Sequence, residues 1–241
     1  MRLDRKLVAL GLADSRSRAQ SMISAGLVRV DGVVAKKASA EPPETAKIEA
    51  VTPHPYVSRA ALKLLSALET FSLSPKGEVA VDVGASTGGF TEVLLEHGAE
   101  RVYAVDVGRD QLHPKLHKNA RIVRLEGQNA RFLSAQHIPE QPGWVVCDAS
   151  FISLEKVLPA TLELAKSGSR LVALVKPQFE VGPKQVGKGG IVKDPALRAE
   201  CVDRVAAWLN TVGWTVEGTA DSPIAGSDGN QETLITAVKT L

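Results

Sequence analysis

Aromatic residues make up only 4% of this 241-residue chain, and methionine and cysteine occur twice each. The two cysteines, Cys147 and Cys201, sit in apolar surroundings without C-x-x-C spacing, which suggests neither a disulfide framework nor a zinc site and leaves both as expected core thiols. No run of about eighteen apolar residues is present, so a membrane-spanning helix is not expected. The opening MRLDRKLVAL is charged and amphipathic, without an apolar core or a small-residue cleavage site. That pattern is not a secretory leader, and the chain reads as soluble and cytoplasmic. Internal repeats and low-complexity tracts are also missing. What remains, 44% hydrophobic and 23% charged residues, suffices for one full α/β core and a small appended module.

Charge is unevenly spread. Residues 1–37 hold eight Lys/Arg against three Asp, and the rest of the chain is slightly acidic despite a net charge of +2. Clustered cations at one end point to an acidic partner, with an ordinary solvated surface as the plain alternative. In this segment Leu3, Leu7 and Leu10 repeat at helical spacing. Ser15 stands in an N-cap position before a second apolar-periodic helix that stops at Gly26. LVRV, Asp31-Gly32 and VVAKK then read as a hairpin, because Asp-Gly supplies the positive φ values of a type I′ turn. Helix, SRSRA, helix, G-x-V-x-V-D-G and a trailing lysine pair resemble the RNA-binding domain named after ribosomal protein S four, over about the first fifty residues. The resemblance nominates Arg16, Arg18, Lys36 and Lys37 as RNA-phosphate contacts.

SAEPPETAKIEAVTPHPYV carries four prolines. Its AKIEAV stretch is expected to close the small domain, residues 1–52, ahead of a proline-broken linker at 53–58. A catalytic domain over 59–241 follows. After the helical SRAALKLLSALETF, seven apolar runs (EVAVDVGA, RVYAVDVG, ARIVRLEG, GWVVCDAS, SRLVALVKP, WTVEGTAD and ETLITAVKT) read as strands, separated by helices until the last pair. The expected fold class is α/β: a doubly wound, Rossmann-like seven-stranded sheet ending in an antiparallel hairpin, behind a small α+β domain.

The strongest local signal is VDVGASTGGF, residues 81–90, where a buried strand runs into a glycine-rich turn that opens a helix. A dinucleotide site would carry G-x-G-x-x-G to cradle pyrophosphate, but Ser86 replaces the second glycine and an acid, Asp82, precedes Gly84. Carboxylates beside the turn suit the aminoacyl group and sulfonium of S-adenosylmethionine better than pyrophosphate. The expected cofactor contacts are Asp82, Gly84, Ser86, Gly88, Gly89 and Phe90. Asp106, ending the next strand, is placed for ribose hydroxyls, with a helix N-cap as the plain alternative. No metal is expected.

A second constellation is dispersed: Lys63 in an apolar helix, Asp148 ending GWVVCD, Lys176 ending LVALVK, and Glu232 opening the last strand. In open α/β sheets ligands bind at the carboxyl ends of strands, where Asp148 and Lys176 fall. Buried charges need partners, so convergence would satisfy all four; two separate ion pairs are the alternative. Lys-Asp-Lys-Glu in this order is similar to the tetrad of ribose 2′-O-methyltransferases of the FtsJ type. SRAALKL, VGASTGGF, CDASFISL, LVKPQFE, GKGGIVKDP and GNQE closely resemble the TlyA family of ribosomal RNA 2′-O-methyltransferases over essentially the whole chain. The chain departs from that pattern near Lys63, reading Ser-Arg-Ala-Ala where glycine is frequent in the family.

The resemblance implies that Lys176 takes or relays the proton of a ribose 2′-hydroxyl and Lys63 orients that oxygen, with Asp148 and Glu232 positioning the lysines. It implies S-adenosylmethionine as methyl donor and ribosomal RNA or ribosomal subunits as partners. Phe179 is expected to shape a nucleotide pocket or to pack in the core. The loop with Lys184, Gly187, Lys188, Gly189, Gly190 and Lys193 is expected to be mobile and to touch RNA. Competing readings are a non-catalytic RNA-binding or assembly factor, which the complete tetrad disfavours, and an NAD-dependent oxidoreductase, which leaves the basic domain unexplained. A membrane-lytic protein, the third, lacks a suitable segment.

Overall fold

The computed structural model describes residues 1–13, 15–51, 54–182 and 185–240. Lys184 of the lysine-bearing loop, and Thr52 and Pro53 near the expected domain boundary, lie outside the described residues. The chain divides into two compact units, Met1–Pro55 and Tyr56–Leu241.

In the small unit, α1 (Leu3–Ala9) and α2 (Arg16–Ser24) precede a three-stranded antiparallel sheet ordered β2-β1-β3, with β1 Val28–Val30, β2 Val33–Val34 and β3 Ile48–Ala50. Ser15 caps α2, its hydroxyl accepting from the Arg18 amide at 3.1 Å. Asp31 (φ 49°) and Gly32 (φ 80°) take the left-handed positions of the β1–β2 turn. Asp31 also ties the turn to the third strand's approach, its carboxylate accepting from the Lys47 amide at 2.8 Å. Leu3, Leu7, Ala19, Met22, Ile23 and Val28 form the core.

The large unit is a seven-stranded sheet ordered β6-β5-β4-β7-β8-β10-β9. Its strands are β4 Val79–Val83, β5 Arg101–Asp106, β6 Ile122–Glu126, β7 Trp144–Cys147, β8 Arg170–Val175, β9 Trp214–Asp221 and β10 Thr233–Lys239. The first five run parallel, and β10 inserts antiparallel between β8 and β9. Alternate residues of the central strands feed two cores, as a sheet covered on both faces requires. Val81, Val83, Val145, Cys147, Leu171 and Ala173 pack on one side with α5 (Leu154–Val157), α6 (Pro159–Leu164) and α8 (Pro195–Thr211), and the single-turn α7 (Pro177–Glu180) follows β8. Ala80, Val146, Val172, Leu174 and Leu234 pack on the other with α3 (Ala60–Thr70) and α4 (Gly89–Glu96). One expectation needs correction: the β5–β6 and β6–β7 connections carry single 3-10 turns, Pro114–Leu116 and Ala130–Phe132, and not α-helices. Both stretches are polar and proline-containing, which disfavours a regular helix.

Cys147 and Cys201 are free and buried, and burial pushes the Cys147 thiol up to about 12, leaving it unreactive. Among the described residues no helix is long and apolar enough to cross a membrane.

Candidate active site

Asp148 directly follows β7, Lys176 directly follows β8, and Glu232 directly precedes β10. Because β10 runs against its neighbour, its start lies at the same sheet edge as the parallel strands' carboxyl ends. Lys63 comes from α3, on the buried face that also carries Leu64, Ala67 and Leu68. The four side chains meet as one network, not as two separate pairs. Lys63 Nζ donates to Glu232 Oε2 at 2.5 Å and lies 3.5 Å from Asp148 Oδ2. The Lys176 ammonium is 2.7 Å from Asp148 Oδ1 as an ion pair, and donates to the Asp148 carbonyl at 3.0 Å and to Ser150 Oγ at 2.9 Å. Charges therefore alternate from Glu232 through Lys63 and Asp148 to Lys176, with no net charge. Side-chain exposures of 8% for Lys63, 13% for Asp148, 7% for Lys176 and 3% for Glu232 place the network largely out of water.

The glycine-rich turn sits at the same edge, between β4 and α4. Gly84, Ser86 and Gly88 all have positive φ, at 82°, 48° and 93°. The glycines are needed against the protein itself. A Cβ on Gly84 would stand 2.8 Å from the Ala149 backbone, one on Gly88 2.4 Å from the Leu116 side chain, and one on Gly89 2.9 Å from Ser58 Cβ. Phe90 is buried in the α3–α4 core.

Asp82 is fully buried; its Oδ2 accepts from Thr91 Oγ1 at 2.6 Å, and its Oδ1 has no hydrogen-bond partner. Burial pushes this carboxyl up to about 7 against the pull of the Thr91 hydrogen bonds, with the charge of Asp148 adding to the rise. Asp106 is no helix N-cap. Its two oxygens accept from the amides of Ser86 at 2.8 Å and Gly108 at 2.7 Å, tying the turn to the loop after β5. The turn amides of Gly84, Ala85, Ser86 and Gly88 are all spent on protein acceptors. A pyrophosphate would meet few free donors and two carboxyls. A ligand with a cationic aminoacyl end and a diol fits the donor set: Asp82 Oδ1 is an unused buried acceptor, and each Asp106 oxygen retains a lone pair.

A family profile described as FtsJ-like methyltransferase matches residues 56–239. The chain belongs to that family. An S4 domain matches residues 1–44 of this FtsJ-like methyltransferase. It is 48% identical over 233 residues to the 16S/23S rRNA (cytidine-2′-O)-methyltransferase TlyA of Mycobacterium tuberculosis, covering 96% of this chain and 87% of the relative. Hemolysin A of Brachyspira hyodysenteriae is 40% identical, covering 97% and 98% of the two chains. A solved structure of a Streptococcus thermophilus protein carrying the hemolysin name aligns with a TM-score of 0.81 at 38% identity, over 100% of this chain and 88% of that one. The fold is shared more distantly with a Synechocystis magnesium protoporphyrin IX methyltransferase solved with SAH bound, at a TM-score of 0.52 and 14% identity.

Sequence reasoning missed three neighbours of the FtsJ-like network. Ser150, a partner of Lys176, lies in CDAS two residues after Asp148. Phe151 next to it is 90% exposed at φ 67°, with its ring centroid 5.2 Å from that of half-buried Phe179. Asn230, two residues before Glu232, is fully buried. A polar or aromatic residue close to a strand-end acid is the one local signal available for the first two.

In the small unit Arg16 Nε donates to the buried Asp4 at 2.9 Å, so this residue is partly committed to the fold. Arg18 donates to His54 Nε2 at 3.1 Å. Lys36 and Lys37 are exposed beyond β2.

Proposed function

We propose that this chain methylates a ribose 2′-hydroxyl of ribosomal RNA from S-adenosylmethionine, in the cytoplasm, with naked ribosomal RNA or a ribosomal subunit as its partner. In this reading residues 1–52 capture RNA, 53–58 link, and 59–241 perform the transfer. The observation that carries it is the alternating Glu232–Lys63–Asp148–Lys176 network beside the Asp82/Asp106 turn. The TlyA-named relative, nearly full-length in coverage, supports the substrate class.

Asp82 would hold the cationic aminoacyl end of the donor and Asp106 its ribose hydroxyls, with the turn from Gly84 to Phe90 shaping the seat. S-adenosylmethionine, when bound, supplies a methyl carbon already activated by positive sulfur. Lys176 accepts or relays the proton of the 2′-hydroxyl, while Lys63, paired with Glu232, orients the oxygen and steadies its developing negative charge. Asp148 spans both lysines, one oxygen to each, and fixes their separation. Much of the acceleration comes from holding the reacting groups in line in a site that is mostly dry. The rings of Phe151 and Phe179, beside Ser150 and Lys176, present an exposed face on which a base can stack.

The test is transfer of labelled methyl from S-adenosylmethionine to separated ribosomal subunits and naked ribosomal RNA, comparing wild type with a folded Lys176→Ala variant. Wild-type transfer that the variant loses, at a nucleotide resistant to alkaline cleavage, supports the reading. RNA binding without any transfer by wild type would favour a non-catalytic assembly factor instead.

A further inference from the structure

The hairpin loop between β9 and β10 contains a fully buried asparagine that the transfer chemistry does not use. Asn230 spends both ends of its amide on one segment: Oδ1 accepts from the Val192 amide at 2.9 Å and Nδ2 donates to the Gly190 carbonyl at 2.9 Å. That segment reaches from Gly187 to Lys193. Its backbone is specialised, with Gly189 and Gly190 at φ 78° and 81°, and a Cβ on Gly187 would stand 2.8 Å from the Ile191 carbonyl. It carries the exposed Lys188 and Lys193. The described part of this loop, expected to be mobile, is thus docked at two points.

The same hairpin loop is bound to the reactive network. Asn230 closes a tight turn, its carbonyl accepting from the Gly226 amide at 2.9 Å and its amide donating to Asp228 Oδ1 at 3.1 Å. Asp228 also accepts from Gln178, two residues after Lys176, at 2.9 Å. A Cβ on Gly226 would stand 2.7 Å from Glu232 Oε1. One loop therefore passes close against the acid that holds Lys63, accepts from Gln178 of α7 behind Lys176, and fixes the lysine-bearing segment.

We propose that Asn230 is a positioning residue that docks Gly187–Lys193 so that Lys188 grips a phosphodiester of the RNA beside the reacting ribose. This rests on the RNA 2′-O-methyltransferase reading for its ligand, while the docking itself rests only on the two amide bonds. The amide is required because one side chain must accept and donate at once. A carboxylate of the same shape opposes the Gly190 carbonyl, which pushes the segment off the side chain and takes the Val192 amide with it, and it regains a donor only when protonated.

Asn230→Asp is therefore the informative variant, followed by amide exchange and by steady-state kinetics from about pH 5 to about pH 8. After correction for intrinsic exchange, wild type keeps the Val192 amide protected throughout. The variant keeps it at the acid end and loses it at the alkaline end, with β8 and β10 amides protected in both as folding controls. At the alkaline end the variant's kcat/KM for RNA falls roughly tenfold, chiefly through KM, with donor affinity unchanged. Adding Lys188→Ala raises KM in wild type and does nothing further in the undocked variant. A Val192 amide that stays protected at alkaline pH overturns the docking role. Additive effects of the two substitutions overturn the grip by Lys188. Should wild type transfer no methyl to any RNA, the functional reading fails, and the exchange series still decides the docking.

Discussion

Each unit sets a carboxylate against two cations largely out of water, and the two acids have opposite surroundings. Asp4 in the small unit accepts from Gln20, Arg2 and Arg16, hydrogen bonds that hold its carboxyl well below the usual carboxylate range. Asp148 in the large unit lies between two lysines. A guanidinium stays charged under all ordinary conditions and offers a rigid fork, so the Asp4 cluster is a permanent brace that holds Arg2 and Arg16 in place. An ammonium can surrender its proton, and in the proposed reaction the Asp148 cluster exchanges one with the substrate. On that reading the same electrostatic motif braces the small unit with arginine and serves the transfer with lysine.

Exchanging the cation types breaks this comparison most sharply. Lys176→Arg keeps the charge and the pairing with Asp148 but removes the base, so single-turnover methyl transfer should fall by about 10²–10⁴-fold while RNA and donor affinities hold. Transfer within a few-fold of wild type would show that Lys176 acts only as a fixed charge. In the other unit, Asp4→Ala releases Arg2 and Arg16 from their brace. RNA affinity by filter binding should weaken about tenfold, and amide protection in α1 and α2 should drop, with donor affinity and large-unit stability unchanged. The smallest change in affinity concerns Asp82, an acid with no ion-pair partner among the described residues. With its carboxyl near 7 in the fold and near 4 when unfolded, the native state holds a proton that the unfolded chain has lost between those values. The contribution of Asp82 to stability should be fully present below about pH 4 and decline toward pH 7, a slope that shows as the difference between wild type and Asp82→Asn in denaturant titrations. Donor affinity should move the other way, tightening several-fold from about pH 6 to about pH 8 as the carboxylate forms to meet the cation, and not in the variant.

The seven strands were legible because buried parallel strands are continuous apolar runs, and the β1–β2 turn because Asp31-Gly32 has few other uses. Lys63 stood out as a lysine among apolar helix positions, and Asp148, Lys176 and Glu232 as charges at strand ends; family resemblance joined them. What each glycine of the turn is for was hidden. Gly84 and Gly88 answer to Ala149, Leu112 and Leu116, which are distant in sequence. Asn230 and Ser150 escaped for the same reason, since their partners are set by tertiary packing and leave no periodic trace. The two connections lacking α-helices escaped because doubly wound topology raised the expectation of a helix over stretches too polar and proline-broken to form one.

The antiparallel insertion of β10 has a consequence for biosynthesis. Glu232 and Lys63 are 169 residues apart, and the strand that delivers the acid must slot between two others. As the chain emerges from the amino end, Lys63 has only Asp148, 3.5 Å away, as a counter-ion until the last strand is made, and β9 has no strand to pair with. Adding β10 to the sheet and giving Lys63 its 2.5 Å partner are the same event. A nascent chain therefore cannot complete the charge network ahead of the sheet, and the reactive centre reports that the domain has finished folding.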